Sequence, residues 1–503
     1  MRGRWIITAA DQPVLSDGAL LLADGRIESV DSWSALRAAN PDLEVRGNEN
    51  SAILPGLINA HHHCHAISAI QHGVSDDLLE PWILAWAAMR PLDRHLNTLV
   101  SLGIQLGAGV TSLVDMMGSG GSSESFSDNL DNAIEACRLS GLRVCLAPGV
   151  TLQSHLVSGP GEDARFMDSL PESARQAATS LLPLTDQLDA DDYFAVMEDK
   201  QRALQNQGRV AMWYGPPGPQ WVDEAVLQRC HEEAVRWDCG IQTHVNESLY
   251  EKLLGPRSYG QSMMMHLHGL GVLSPRLSIA HGTWLNEEEI DLMAETGAAV
   301  SHNPGSNLRL RAGIAPFTAL VHRGVTTGIG MDATTLNEDE DMFSEIRLAY
   351  RLQCDPRIER QVPGIADAFA AATVGGAKLM RMETQLGQLS PGYLADLVIL
   401  DTERLCWPWV APEADPMELI LLRARRSDIR EVLVGGESVW RDGAPTRFDF
   451  AAAATELAHL VAAWPHPELA ASAAAELTPH LRQWYADWEV PSLSPWLERN
   501  SRR

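Results

Sequence analysis

PGLINAHHHCHAI, residues 55–67, runs from an apolar stretch into four histidines and a cysteine packed into five positions. Successive side chains of a β-strand point to opposite faces. If the apolar stretch is a strand, His61 and His63 share one face while His62 looks the other way. His-x-His alone decides little. A random chain with 17 His in 503 residues carries about 0.6 such triplets, and this one has a second at His266-Leu267-His268. The surroundings have to decide.

Seven further β-branched runs follow, each ending in small or polar residues: GVTSLVDM (109–116), GLRVCLAPGV (141–150), RVAMWYGPPG (209–218), GIQTHVNE (240–247), LSIAHGTWL (277–285), AAVSHNPGSN (298–307) and GVTTGIGMD (324–332). With SAILPGLINAH (51–61) they make eight. Amphipathic stretches such as DNLDNAIEACRLS (128–140) and VDEAVLQRCHEEAVRWD (222–238) alternate with them. Eight strands alternating with helices predict an α/β protein, a (β/α)8 TIM-like barrel. No G-x-G-x-x-G follows any strand, so the doubly wound open sheet has no support.

Composition narrows the function. Hydrophobic content of 45% with 21% charged residues is that of an ordinary globular chain. A net charge of −27 argues against a nucleic-acid partner. No apolar window reaches eighteen residues, and MRGRWIITAADQPVLSDG lacks a signal-peptide core, so neither a membrane span nor export is expected. Seven scattered Cys without Cys-x-x-Cys read as reduced thiols, hence a cytoplasmic location. A homo-oligomer, such as a dimer, is expected.

Barrel active sites lie at the C-terminal strand ends. Those ends offer His61 and His63, Asp115, His244 with Glu247, His281, His302 with Asn303, and Asp332. Four of eight ends carry histidine, which outweighs any single triplet. Imidazoles with a carboxylate suit a borderline divalent ion, zinc first and iron next. Such an ion lowers the pKa of its water to about 7 and supplies hydroxide at neutral pH. Cys64 leaves the inward face on alternation and reads as a small buried hydrophobe. His65 could line a pocket. His266 and His268, two apart on a helix, share no face and read as structural.

PGLINAHHH, THVNE, AHGTWL, SHNPGSNLRL and GMD, followed by GQLSPGYLADLVILD, resemble the amidohydrolase superfamily in order and spacing, in its branch of cytosine-deaminase-like, guanine-deaminase-like and triazine hydrolases. The resemblance runs from ADGRI (23–27) to VGGESVWRDG. It implies metal ligation by His61, His63, His244 and Asp332, with Asp332 also moving a proton. It implies that His281 orients the attacking hydroxide or binds the metal weakly, and that Glu247 shuttles a proton to a ring nitrogen and then to the leaving group. His302, Asn303, Arg309 and His65 become expected substrate contacts, and Asp115 an expected hydrogen-bonding support for a ligand histidine. Binuclear members bridge two metals through a carboxylated Lys at the end of strand four. RVAMWYGPPG has none, so one ion per chain is expected.

The implied activity is hydrolytic deamination of a small-molecule nitrogen heterocycle of the amino-purine, pyrimidine, pterin or triazine type. The alternatives are ring opening of a cyclic amide, or displacement of a halide, thiolate or alkylamine. NEDED (337–341) stands where guanine and triazine hydrolases carry small polar residues. It reads as acids favoured by a helix dipole; facing the pocket mouth, it would favour a neutral or cationic substrate. The expected domains are residues 1–54 and 387–448 as two parts of one small β-sandwich, 55–386 as the barrel, and 449–503 as a helical C-terminal extension bearing Trp464, Trp484, Trp488 and Trp496. A segment at 152–200 exceeds what a barrel loop needs and is expected either to shape the pocket or to decorate it.

Overall fold

The computed structural model describes residues 1–118, 121–182, 187–205, 208–333, 339–359 and 362–496. Four strands come first: β1 (Arg2–Ile6), β2 (Leu15–Ala23), β3 (Arg26–Ser32) and β4 (Ser51–Pro55). The barrel strands are β5 (Leu57–His62), β6 (Val110–Asp115), β7 (Arg143–Leu146), β8 (Val210–Met212), β9 (Ile241–Val245), β10 (Leu277–His281), β11 (Ala299–His302) and β12 (Thr327–Ile329). After them come β13 (Leu397–Asp401), β14 (Ile429–Val434), β15 (Glu437–Arg441) and β16 (Ala444–Pro445).

β5 to β12 form one parallel sheet, ordered β8-β7-β6-β5-β12-β11-β10-β9. A bridge from Tyr214 to Ile241 joins its two edges, closing the expected barrel. The remaining strands form a second, mixed sheet, β16-β15-β14-β13-β4-β1-β2-β3, drawn from both ends of the chain. Ile6, Leu20, Ile27, Ile53, Leu397, Ile399 and Leu433 pack together as its own small core.

SAILPGLINAH, read as one strand, is two. It divides at Gly56, and β4 belongs to the small sheet while β5 opens the barrel. Both halves are buried on both faces, so the unbroken apolar run hides the change of sheet. A side chain at residue 56 would sit 2.1 Å from Thr111 Oγ1, so only glycine lets the chain pass from one sheet to the other there.

The 152–200 segment holds the helices Glu162–Ser169 and Glu172–Leu181 and the start of a third, Ala190–Leu204. Over the first two lies the C-terminal helix Glu468–Ala486. Trp484 meets Phe166 edge to face at 5.5 Å, and Tyr485 Oη accepts from Ser158 N–H at 2.9 Å. Leu477, Leu481, Tyr485 and Trp488 are buried in the main core. Trp464 and Trp496 stay largely exposed. The tail is therefore packing against the body, joined to the long insertion. No helix among the described residues is long and apolar enough to cross a membrane.

Candidate metal centre and active site

Backbone hydrogen bonds fix the level of the first histidines. His63 N–H donates to Asp332 O at 2.8 Å, Asp332 N–H to His61 O at 3.0 Å, and Met116 N–H to His62 O at 2.7 Å. Alternation then works as expected. His61 and His63 turn into the barrel mouth, while His62 turns out to Ser101 Oγ at 3.0 Å. His281 and Asp332 sit at strand ends with φ of 73° and 63°. Left-handed backbone at non-glycine residues costs of order 1–3 kcal/mol each and persists where surrounding structure imposes it. Gly330 makes room nearby, since a Cβ there would lie 2.2 Å from Asn303 Oδ1.

Each of the four inward imidazoles has its Nδ1 against an oxygen. His61 faces Gln242 Oε1 at 2.9 Å, His63 Met116 O at 2.7 Å, His244 Pro217 O at 2.6 Å and His281 Asn307 Oδ1 at 2.9 Å. With Nδ1 donating to those oxygens, every Nε2 is left as a lone pair. These lone pairs converge. His63 Nε2 lies 3.3 Å from His244 Nε2 and 3.2 Å from Asp332 Oδ1, and His61 Nε2 lies 3.5 Å from the same oxygen. His61 Nε2 and Asp332 Oδ1 are buried without a hydrogen-bond partner among the described residues.

Ligands around one ion with bonds of about 2.0–2.1 Å are separated by about 3.3 Å when tetrahedral. The observed separations match that edge length. Burial and neighbouring imidazoles push His63 and His281 down to about 4 and His244 well below its usual value, so these rings are neutral, as ligands must be. Burial pushes Asp332 upward, but His61, His63 and His281 outweigh it and hold the carboxyl well below its usual range. The donor set therefore fits one divalent cation. His61, His63, His244 and Asp332 can hold it, with His281 at the edge, its Nε2 3.9 Å from Asp332 Oδ2. β8 carries no Lys, and Lys200 pairs with Asp131 at 2.7 Å on a helix outside the mouth.

Glu247 lies just past β9, buried, with Oε2 3.5 Å from His281 Nε2. Burial raises its carboxyl well above the ordinary value, and the charges of Glu251, Asp332 and Glu80 add to the effect. Glu251 anchors it from beneath, accepting Glu247 N–H at 2.7 Å and Gln220 Nε2 at 2.7 Å. Ser248 Oγ donates to Glu80 at 2.5 Å, completing a buried group of three carboxyls. Glu251 and Glu80 escaped the sequence reading, although Glu251 stands four residues after Glu247, one helical turn away. Gln242 was legible too, two residues before His244 on the same strand face. Ser306, whose hydroxyl donates to Asp332 Oδ2 at 2.7 Å, and Asn307, at 2.9 Å from His281 Nδ1, both belong to SHNPGSNLRL, where no spacing rule sets them apart.

A cavity of about 320 Å³ opens over this centre. His63, His244, Glu247, His281 and Asp332 form its floor at the metal centre, Thr151, Ser154 and His155 add further polar groups, and Trp82, Trp86 and Trp221 form much of the remainder. His65 lines it as expected, its ring 5.9 Å from Trp86. The other expected substrate contacts lie elsewhere. His302 is fully buried and stacked on Phe317 at 5.5 Å, outside the cavity lining. Asn303 is buried between Ser301 Oγ, at 2.9 Å, and His281, at 3.3 Å, so it steadies His281. Arg309 is tied to Asp76 at 2.7 Å. Among the described residues Asp115 makes no hydrogen bond to a ligand histidine; its side chain faces Cys64 and Arg94, His61 acts on it only electrostatically, and burial raises it to about 6. Cys64 is buried and protonated beside it, and His266 stacks on Tyr259 at 3.7 Å, both structural as read.

Part of NEDED, residues 337 and 338, lies outside the described residues. Of the remainder, Asp341 caps the helix Met342–Leu352. Glu340 is fully buried against Gln105 Nε2 at 2.6 Å, away from the cavity lining, because Gln105 offers a buried donor there.

The model of the amidohydrolase family matches residues 52–439. A 5-methylthioadenosine/S-adenosylhomocysteine deaminase of Nitratidesulfovibrio vulgaris (strain DSM 19637 / Miyazaki F) is 31% identical over 451 residues, covering 88% of this chain and 92% of its own. A 5′-deoxyadenosine deaminase of Methanothermobacter thermautotrophicus is 30% identical over 433 residues, covering 85% and 90%. Among solved structures, an adenosine deaminase from Xanthomonas campestris with bound zinc superposes with a TM-score of 0.74 at 23% identity, covering 91% of this chain and 96% of its own.

Proposed function

The chain belongs to the amidohydrolase family, and from that premise we propose that it deaminates the 6-amino group of an adenine nucleoside, using one zinc ion. It is a hydrolase of C–N bonds that deaminates a nitrogen heterocycle. The observation that carries the finer reading is the pairing of two functions across His281: convergent lone pairs of His61, His63, His244 and Asp332 on one side, and a buried Glu247, its carboxyl raised well above the usual value, on the other. The nucleoside is suggested by the relatives and by a cavity of about 320 Å³ with three tryptophans in its wall.

His61, His63, His244 and Asp332 would hold the ion, which when bound supplies water activated to a pKa of about 7. The rest of the chemistry belongs to side chains of the chain. Asp332 takes a proton from the attacking water, and His281 orients the oxygen. Glu247 gives its proton to the ring nitrogen beside the attacked carbon. The carbon gains the hydroxyl. Glu247, now a carboxylate, takes the hydroxyl proton and passes it to the exocyclic nitrogen as the C–N bond breaks and the carbonyl forms. The proton held by Asp332 restores the acid form of Glu247. Water and aminopurine become oxopurine and ammonia. Neutral imidazoles and nitrogen-rich ligation favour zinc over iron, and free cysteines suit a reducing cytoplasm.

The test is ammonia release and ultraviolet change from metal-loaded enzyme given adenosine, 5′-deoxyadenosine and amino-substituted pyrimidines, pterins and triazines. Wild type should release ammonia from the nucleosides. Glu247→Gln should lose about 10²–10⁴-fold in kcat with its metal retained, as expected when a general acid–base is removed. Spectral change without ammonia would mean ring opening or another leaving group.

A further inference from the structure

The wall of the cavity is uneven in charge. Its carboxylates, Glu247 and Asp332, lie at the metal centre, and no lysine or arginine is among the described residues that line it. Arg94 acts on His65 but is itself largely buried and outside the lining, and arginines of neighbouring segments are engaged. Arg309 pairs with Asp76 at 2.7 Å and Arg311 with Asp77 at 2.5 Å, and Arg482 of the C-terminal helix also binds Asp77. Arg257 lies over the Trp488 ring at 4.7 Å and pairs with Glu162 at 3.8 Å. His155, from the insertion, reaches the lining, but burial lowers its imidazole below the usual value.

The helix Leu79–Ala85 and the turn after it supply Leu79, Trp82, Ile83 and Trp86 to the wall, an apolar and aromatic face. Trp82 and Trp86 meet edge to face at 5.0 Å, so the face is a packed surface. A carboxylate brought against it would lose water and find no cation. A methyl or thioether group would lose nothing polar there and would gain contact with polarisable rings.

We propose that this cavity selects an adenine nucleoside whose 5′ substituent is apolar and uncharged, such as a 5′-deoxy or 5′-methylthio group, and discriminates against one ending in an amino-acid carboxylate. The inference rests on the nucleoside reading above. It separates two substrates that one relative's name joins, 5-methylthioadenosine and S-adenosylhomocysteine.

The experiment compares kcat/KM for these two compounds and for 5′-deoxyadenosine, on zinc-loaded wild type, Ile83→Arg and Ile83→Gln. Ile83 is 37% exposed, so an arginine there can be accommodated. Wild type should favour the two uncharged nucleosides over S-adenosylhomocysteine by at least about 100-fold, the scale at which unpaired polar groups discriminate. Ile83→Arg should raise the S-adenosylhomocysteine to methylthioadenosine ratio by about tenfold through charge pairing, and Ile83→Gln should not. A wild-type ratio within about threefold overturns this inference while leaving the nucleoside reading intact. So does an equal rise with Gln and Arg, since polarity rather than charge would then be selecting. If no nucleoside is turned over while another heterocycle releases ammonia, the nucleoside reading falls and this inference falls with it.

Discussion

His63 Nε2 and His244 Nε2 face each other at 3.3 Å, although each ring has its Nδ1 against a backbone carbonyl and so no proton on Nε2 to share. Two lone pairs so placed repel unless a cation lies between them. Purified chain stripped by chelator should rebind one zinc per chain. At a free zinc concentration 100-fold above Kd the fold should gain about 2.7 kcal/mol, the linkage value for one site. His244→Ala should abolish that gain in a thermal melt. Tight binding of two ions per chain would contradict the single centre inferred from the missing lysine on β8.

Ser306 is a quieter contributor. Its hydroxyl donates to Asp332 Oδ2 at 2.7 Å, which leaves Oδ1 directed at the histidines. Ser306→Ala should weaken metal affinity by about 10–100-fold, the usual cost of losing an outer hydrogen bond to a ligand. Competition against a zinc indicator would measure it. An unchanged affinity would mean that Asp332 is held by its backbone alone.

The proposed ligand set is legible in the chain because a barrel turns alternation and strand ends into geometry. His281 ends β10, His61 and His244 lie one residue inside the ends of β5 and β9, and His63 and Asp332 follow β5 and β12, so the fold brings all five together at one end of the barrel. Substrate contacts could not be read the same way. His302 ends a strand, but its ring packs on Phe317 and stays out of the cavity lining. The cavity walls come from Trp82, Trp86 and the 151–155 loop, whose placement depends on a helix docked from the far end of the chain. Nothing periodic in the sequence announces such long-range packing. The β4/β5 division at Gly56 was hidden for a related reason: burial on both faces erases the pattern that marks a change of sheet.

Glu251 sets the working pH of Glu247. Burial raises Glu247 first and the Glu251 charge raises it further, and both favour its acid form. Glu251→Gln removes that charge and keeps an acceptor for Glu247 N–H. The Glu247 pKa should fall, the acid form should be lost at lower pH, and the alkaline limb of kcat/KM should move down. Stability gives an independent sign. A carboxyl raised by folding keeps a proton that the unfolded chain has released, so stability falls as pH climbs from the ordinary carboxylate range through the raised value. Glu251→Gln should lessen that fall, seen as a smaller difference in urea midpoint between pH 5 and pH 8. A profile identical to wild type would show that burial alone sets Glu247.

Leu481 tests how the C-terminal helix serves the site. It is 1% exposed, in the main core beside Tyr485 and Trp488, on the helix that lies over the insertion. Leu481→Ala should cost about 2–5 kcal/mol through lost burial and the cavity left behind. The same helix carries Arg482, which binds Asp77 two residues before the helix that supplies Leu79, Trp82 and Ile83 to the cavity. Loosening it should therefore raise KM while leaving zinc affinity unchanged, because the metal residues sit on barrel strands and their ends. Thermal melts, zinc competition and steady-state kinetics on the one variant separate these effects. A loss of stability with KM unchanged would make the tail a brace for the fold alone. A fall in zinc affinity would mean that the tail reaches the metal centre as well as the walls above it.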